Sequence, residues 1–270
     1  KEVALKLVPP SLVNDESNVR CLVNEARIGG LLRHPNIVEV YDLDCVDDHW
    51  FVAMELVKGK TLGELIKKCR QTETVLPRAV VLEVALGVSA GLHYAHNFRT
   101  TDGKKAGLIH RDLKPANVMI SDRGDVKIMD FGIARSSLNY FLTTAGSPLR
   151  GTPLYMSPEQ FDDGELTPAS DIFAFGTMLY EMVTNERLFL ATDFRMILAA
   201  VLYNDLTPAI DRVAERDPGL SELIARCLER DLGKRLRSCR QLHDALQDMR
   251  QDGPDALTLT EFVGFLQQAE

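Results

Sequence analysis

The chain has 270 residues, 45% hydrophobic and 26% charged, enough for one large globular domain or two packed lobes. Its net charge is −8 and its 31 basic residues form no block, which excludes nucleic acid and a polybasic membrane patch as the expected partners. Cys21, Cys45, Cys69, Cys227 and Cys239 are widely spaced without a CxxC pair, which argues against a structural zinc site and for free thiols in a reducing, cytoplasmic compartment.

The first element is a strand, VALKLV from Val3, with a lone charge, Lys6, inside an apolar run. A helix is predicted from Asn14 to Leu32, because Val19, Leu22, Val23 and Ala26 recur at helical spacing; Glu25 lies on the flank of that stripe. Gly29 and Gly30 each cost about 1 kcal/mol relative to alanine in a helix interior, so the helix either ends or flexes there. Two more strands follow, IVEVYDL and WFVAMELV, and residues 1–57 read as a small, mainly β unit. The aspartates at 42, 44, 47 and 48 lack the glycine and glutamate of a calcium loop and read as a solvated connection.

Beyond Val57 the pattern is helical: Leu62 to Cys69, Arg78 to His96, Pro168 to Thr184, Phe194 to Tyr203, Leu220 to Leu228 and Cys239 to Met249. VKGKTL ends like a phosphate loop, but Met54 stands where that motif needs glycine, so a turn entering a helix is the better reading. The stretch Ala79 to Ala95 is the nearest to the roughly 18 apolar residues of a membrane helix and is interrupted by Glu83 and His93. His93 and His96 read as packing or surface residues, and His34, in RHPNIV, as a structural residue at a helix end. At the end, Leu257, Phe262, Phe265 and Leu266 suit one apolar face of a short helix.

One strand pair interrupts the helices: VMIS, DRGD, VKIM. Folding it about the Arg123–Gly124 bond sets Asn117 opposite Asp130, an amide oxygen beside a carboxylate, which suits Mg²⁺ with phosphate oxygens completing its shell. Asp112, five residues before Asn117 in IHRDLKPAN, brings a second carboxylate from a loop in which Pro115 blocks regular structure.

HRDLKPAN followed by DFG at Asp130 resembles the catalytic loop and metal-binding motif of eukaryotic-like protein kinases. VALK resembles the kinase strand whose lysine, Lys6, holds the nucleotide phosphates, and Glu25 resembles its glutamate partner. MELVKGKTL is similar to the gatekeeper and hinge segment, with Met54, Glu55 and Val57 meeting the base of ATP. GTPLYMSPE resembles the end of an activation segment, with Ser157 where the family usually has alanine. Asp171 in SDIFAFG resembles the residue that braces the catalytic loop, and Arg235 the arginine that pairs with Glu159. Lys114 and Thr152 resemble the serine/threonine branch, and IMDFGIAR with GTPLYMSPEQ its bacterial members.

The resemblance implies an α+β bilobal kinase fold, with a mainly β lobe at 1–57 carrying one helix and a mainly α lobe at 58–270. It implies ATP with Mg²⁺ or Mn²⁺, protein substrates, and a homodimer for autophosphorylation in trans at Thr143, Thr144 or Ser147, the phosphate being read by Arg111. Asp112 is expected to orient the substrate hydroxyl and Lys114 to neutralise the transferring group. No GxGxxG occurs, and residue 1 is not methionine, so the expectation is a kinase domain without its first two strands and its glycine-rich lid. A pseudokinase scaffold is disfavoured because Lys6, Glu25, Asp112, Asn117 and Asp130 are all present; a small-molecule phosphotransferase is disfavoured by the activation segment.

Overall fold

The computed structural model describes residues 2–8, 19, 23, 26, 29–47, 49–100, 103, 106–131, 152–161, 165–191, 193–251 and 258–268. It begins with an antiparallel sheet of three strands, β1 (Val3–Leu7), β2 (Val40–Val46) and β3 (His49–Glu55), in the order β1-β3-β2. Register explains the lone lysine. Lys6 lies opposite Val52 and Ala4 opposite Met54, and directly paired residues share a face, so Lys6 is on the side that carries buried Val52 and Met54. The apolar Val3, Leu5 and Leu7 are the ones left exposed on the other side.

Val19, Val23, Ala26 and Gly29 are helical, and Gly30 forms the turn that follows, its N–H donating to the Ala26 carbonyl. The helix expected to reach Leu32 therefore stops at the two glycines, where the lost side-chain packing no longer offsets their conformational freedom. The strand expected from Ile37 starts later, at Val40. Ile37 instead bridges to Ile128 in parallel, and Val38 N–H donates to the Ile128 carbonyl, so this apolar pair ties the small sheet to the large lobe. Asp42 and Asp44 lie within β2 on its exposed side rather than in a connection.

The large lobe starts with β4 (Gly59–Thr61), which pairs with β5 (Val118–Ser121), and β5 with β6 (Val126–Ile128). GKT is thus an edge strand rather than a plain turn. A Cβ at Gly59 would stand 2.0 Å from the Ile120 carbonyl oxygen, so glycine is what lets the strands approach. Thr61 then caps α1 (Leu62–Gln71) in a reciprocal box with Glu64.

The helices that follow are α2 (Arg78–His96), α3 (Pro158–Phe161), α4 (Pro168–Thr184), α5 (Phe194–Tyr203), α6 (Thr207–Ala214), α7 (Pro218–Cys227), α8 (Cys239–Gln251) and α9 (Leu259–Gln268), with 3-10 turns at Pro115–Asn117 and Thr152–Tyr155. Of these, α2, α4 and α5 have the predicted bounds; α6, opened by Thr207 and Pro208, was not expected. The helix α2 is long and apolar enough to span a membrane, against the sequence expectation, but it forms the core of this lobe, with Val80, Val84, Ala85, Val88, Leu92 and Ala95 buried. α2 is buried over most of its residues, and α4 is covered along nearly its whole length. The last helix packs through Leu259, Phe262 and Val263, while Phe265, expected in that face, is 61% exposed; Leu257 and the Leu266 side chain lie outside the description.

Candidate active site

The hairpin β5–β6 carries the site, one residue out of the expected register. Val118 pairs with Ile128 and Ile120 with Val126, and Ser121 N–H donates to the Asp125 carbonyl, which leaves a three-residue loop, 122–124. Ser121 Oγ accepts from the N–H groups of Arg123 and Asp125, and Gly124 takes φ +85°, which together favour the longer loop over a two-residue turn. Asn117 therefore faces Met129, whose N–H donates to the Asn117 carbonyl, and Asp130 follows one residue on.

Pro115 opens the 3-10 turn that brings Asn117 back over the loop. Its Nδ2 donates to the Asp112 carbonyl at 2.8 Å and to Asp112 Oδ2 at 3.1 Å. Lys114 Nζ lies 2.8 Å from the same Oδ2. One carboxylate, one ammonium and one amide are thus brought together as expected. With both Nδ2 contacts spent on Asp112, the amide oxygen of Asn117 is the atom left to face a cation.

From the other lobe, Lys6 Nζ meets Asp130 Oδ2 at 2.6 Å. Asp130 adopts φ 62° and Arg111 φ 70°, left-handed conformations that cost non-glycine residues roughly 1–3 kcal/mol and persist only where neighbours impose them. Glu25, the expected partner of Lys6, lies outside the described residues. Met54 is buried, Val57 is half-buried, and Glu55 turns its carboxylate to Lys127 at 2.9 Å while its N–H donates to the Glu39 carbonyl, so that N–H is not available to a ligand.

The neighbours that impose the loop are buried polar groups. Asp171 on α4 is 1% exposed; its carboxylate accepts from the N–H groups of His110 (2.7 Å) and Arg111 (2.9 Å) and from His96 Nε2 (2.7 Å). Burial alone would raise its pKa, but the His96 hydrogen bond and charge, with His110, hold the group below its ordinary value. His110 donates from Nε2 to the Met129 carbonyl at 2.8 Å, accepts the Asp112 N–H at Nδ1, and meets Phe131 edge-on. The site's two halves are joined through this ring.

Glu159 and Arg235 form a two-pronged pair at 2.8 and 3.2 Å beneath the loop, Arg235 also lying over the Phe173 ring. Burial opposes the Glu159 charge, and Arg235 outweighs it, so that carboxyl titrates below its usual range. Two residues escaped the sequence reading. His96 sits 75 positions from Asp171, so only the fold reveals the pair. Gln160 donates to the Arg111 carbonyl at 2.8 Å across 49 positions; the spacing Ser157 to Gln160 was its sequence signal, a helix-capping pattern. Thr143, Thr144 and Ser147 lie outside the described residues, as does the Thr152 side chain.

A strand lysine on an aspartate, a carboxylate flanked by lysine and asparagine, and a loop braced from an internal helix agree with the match of residues 1–247 to the family described as protein kinase domain. The chain belongs to the protein kinase family. It is similar to tyrosine-protein kinase MasK of Myxococcus xanthus, 29% identical over 266 residues, covering 97% of this chain and 41% of MasK. It is also similar to serine/threonine-protein kinase PknL of Mycobacterium tuberculosis, 36% identical over 225 residues, 83% of this chain and 53% of PknL. This kinase domain spans about half the length of these curated relatives. The crystal structure of the Mycobacterium tuberculosis PknI kinase domain matches with a TM-score of 0.66 at 24% identity, covering 91% of this chain and 85% of that one, a likeness of fold.

Proposed function

We propose that the chain is the catalytic domain of a serine/threonine kinase, moving the γ-phosphoryl group of ATP to protein hydroxyls, with residues 1–57 and 58–270 as its two lobes. The observation that carries this reading is Lys114 Nζ at 2.8 Å from Asp112, a cation two residues beyond the carboxylate. A carboxylate is a weak base at neutral pH, so Asp112 chiefly orients the substrate hydroxyl and takes its proton late. Lys114 balances charge on the transferring group, and Lys6 holds the nucleotide phosphates.

The family generally uses ATP with Mg²⁺. Among the described residues no cluster of three His, Cys, Asp or Glu could hold a metal. The donor set fits Mg²⁺ nonetheless, because that ion takes one or two protein oxygens and fills its shell from phosphate and water. Asp130 and the Asn117 amide oxygen would hold it, supplying positive charge against the phosphates. The hinge at Met54 to Val57 receives the base, with Val57 offering backbone groups in place of the engaged Glu55 N–H. Glu25 pairs with Lys6 in the working state, and Thr143, Thr144 or Ser147 is phosphorylated in trans and read by Arg111. The kinase domain works on the cytoplasmic side, where ATP is available and buried thiols such as Cys69, Cys227 and Cys239 stay reduced.

The test is transfer of radiolabel from ATP to a generic protein substrate, followed by phosphoamino-acid analysis and peptide mapping. Label on serine and threonine supports the reading, and label on tyrosine alone refutes it. Asp112→Asn should lower turnover on the order of 10²- to 10⁴-fold while nucleotide affinity holds. Equal loss of both would remove Asp112 from that role.

A further inference from the structure

Gln160 is a side chain with two different jobs, and only one of them concerns its own helix. Ser157 and Gln160 make the return half of a capping box: Gln160 Oε1 accepts the Ser157 N–H at 3.0 Å and the Ser157 hydroxyl at 3.2 Å, while the Gln160 N–H donates to the Ser157 carbonyl. This gives the serine at 157, unexpected beside the family's usual alanine, a function, since an alanine has no hydroxyl for that bond. Ser157 is fully buried and Gln160 is 4% exposed, so each of these polar groups needs its partner.

A capping box accepts glutamate as readily as glutamine at this position, because only the acceptor oxygen is used. What glutamate lacks is Nε2. In this molecule Nε2 donates at 2.8 Å to the carbonyl of Arg111, the residue at φ 70° directly before Asp112. Asp171 holds the N–H of Arg111 from one side, and Gln160 holds its carbonyl from the other. The two peptide groups that flank Arg111 and aim Asp112 are thereby each clamped, and the second clamp belongs to the segment that closes the activation region.

Resting on the reading of Asp112 as the group that orients the substrate hydroxyl, we propose that Gln160 is a positioning residue for phosphoryl transfer, coupling the end of the activation segment to the catalytic loop through the Arg111 carbonyl. It touches neither nucleotide nor substrate. It acts by fixing where Asp112 stands, and a displacement of about 1 Å at such a group can cost on the order of 10²-fold in rate.

Gln160→Glu separates the two jobs. The capping oxygen remains, while the ionised carboxylate puts negative charge against the Arg111 carbonyl; the protonated acid restores a donor. Measured at about pH 8, kcat should fall on the order of 10²-fold with the KM for ATP unchanged. Burial raises a carboxyl pKa, so the variant's kcat relative to the unsubstituted protein should climb as pH falls toward about 6. A variant with kcat within about twofold of the unsubstituted protein, or with an equal loss in KM for ATP, overturns the proposal, as does a flat pH ratio. Gln160→Met, which removes both jobs, is read by hydrogen exchange at the amides of residues 110–112. Faster exchange confined to that loop supports the coupling, and unchanged protection overturns it. If the unsubstituted protein transfers no phosphoryl group, the functional reading of Asp112 fails, while the exchange result still decides the clamp.

Discussion

The two sides of the cleft are built to different standards. On the large-lobe side, the loop carrying Asp112 is fastened by Asp171, His96, His110 and Gln160, all buried and all bonded to backbone groups of the loop or its hairpin or, for His96, to Asp171. On the sheet side, Lys6 is 45% exposed and stands over a small apolar cluster of Val38, Val52 and Met54. The residues proposed to act on the transferred group are therefore held rigidly by the core, and the residue proposed to grip the nucleotide is held, among the described residues, by its ion pair with Asp130. Preorganisation is needed where charge develops and atoms must align, whereas the nucleotide grip must open and close with each turnover.

The comparison is tested most severely at Asp171. Asp171→Ala leaves two backbone N–H groups and His96 buried without their acceptor, and removing one member of such a network costs about 3–5 kcal/mol. Urea unfolding should show that loss together with abolished transfer; a loss below about 1 kcal/mol would mean that the loop is not fastened from α4. A related but smaller effect is expected in acid. The folded-state pKa of Asp171 lies below its ordinary 3.8, and that of Glu159 below 4.5. Groups depressed on folding contribute stability that is fully present above the unfolded value and lost as pH falls through the folded one. The loss should thus be confined below about pH 4.5, and Asp171→Asn should flatten the lower part of that limb; an unchanged limb would exclude Asp171 as its source.

What sequence reading recovered follows the same division of local from distant. Helices α2, α4 and α5 were legible to the residue because each is an apolar run too long for a strand and opens at a proline or a capping side chain. That Asp112, Lys114 and Asn117 come together was legible because they stand in one short motif. The hairpin register was missed by one because a serine side chain and a left-handed glycine lengthened the loop, a choice that apolar patterning does not record. β4 was missed because three residues have no periodicity of their own and gain a partner only across the fold. His96 and Gln160 were missed for that reason too. A buried polar residue advertises itself by its partner, and their partners are 75 and 49 positions away.

A more moderate effect is expected at the far end of the same hairpin. Gly124 has φ +85°, and a Cβ there would fall 2.5 Å from Thr260 Oγ1, which donates to the Arg123 carbonyl. Gly124→Ala should cost about 1–2 kcal/mol from the backbone conformation alone, and it should loosen α9. Differential scanning calorimetry would register this as a fall of a few degrees in Tm. Were transfer activity to fall with it, the fastening of the large lobe would have to extend from the loop to α9.

The smallest change in stability is expected at Lys6, where the two standards of construction separate most cleanly. Its ion pair with Asp130 is open to solvent on the lysine side, and such pairs contribute about 0–1 kcal/mol because the Coulomb gain is screened and the side chain gives up rotamer freedom. Lys6→Met keeps the aliphatic stem that lies along the Val52 and Met54 face, so even packing is largely preserved. Urea unfolding should thus be nearly unchanged, while transfer falls and the KM for ATP rises, because the lost charge is one the phosphates would meet. A destabilisation rivalling that of Asp171→Ala would show the sheet side to be as rigidly fastened as the loop, and the distinction between a fixed catalytic wall and a yielding nucleotide wall would have to be given up.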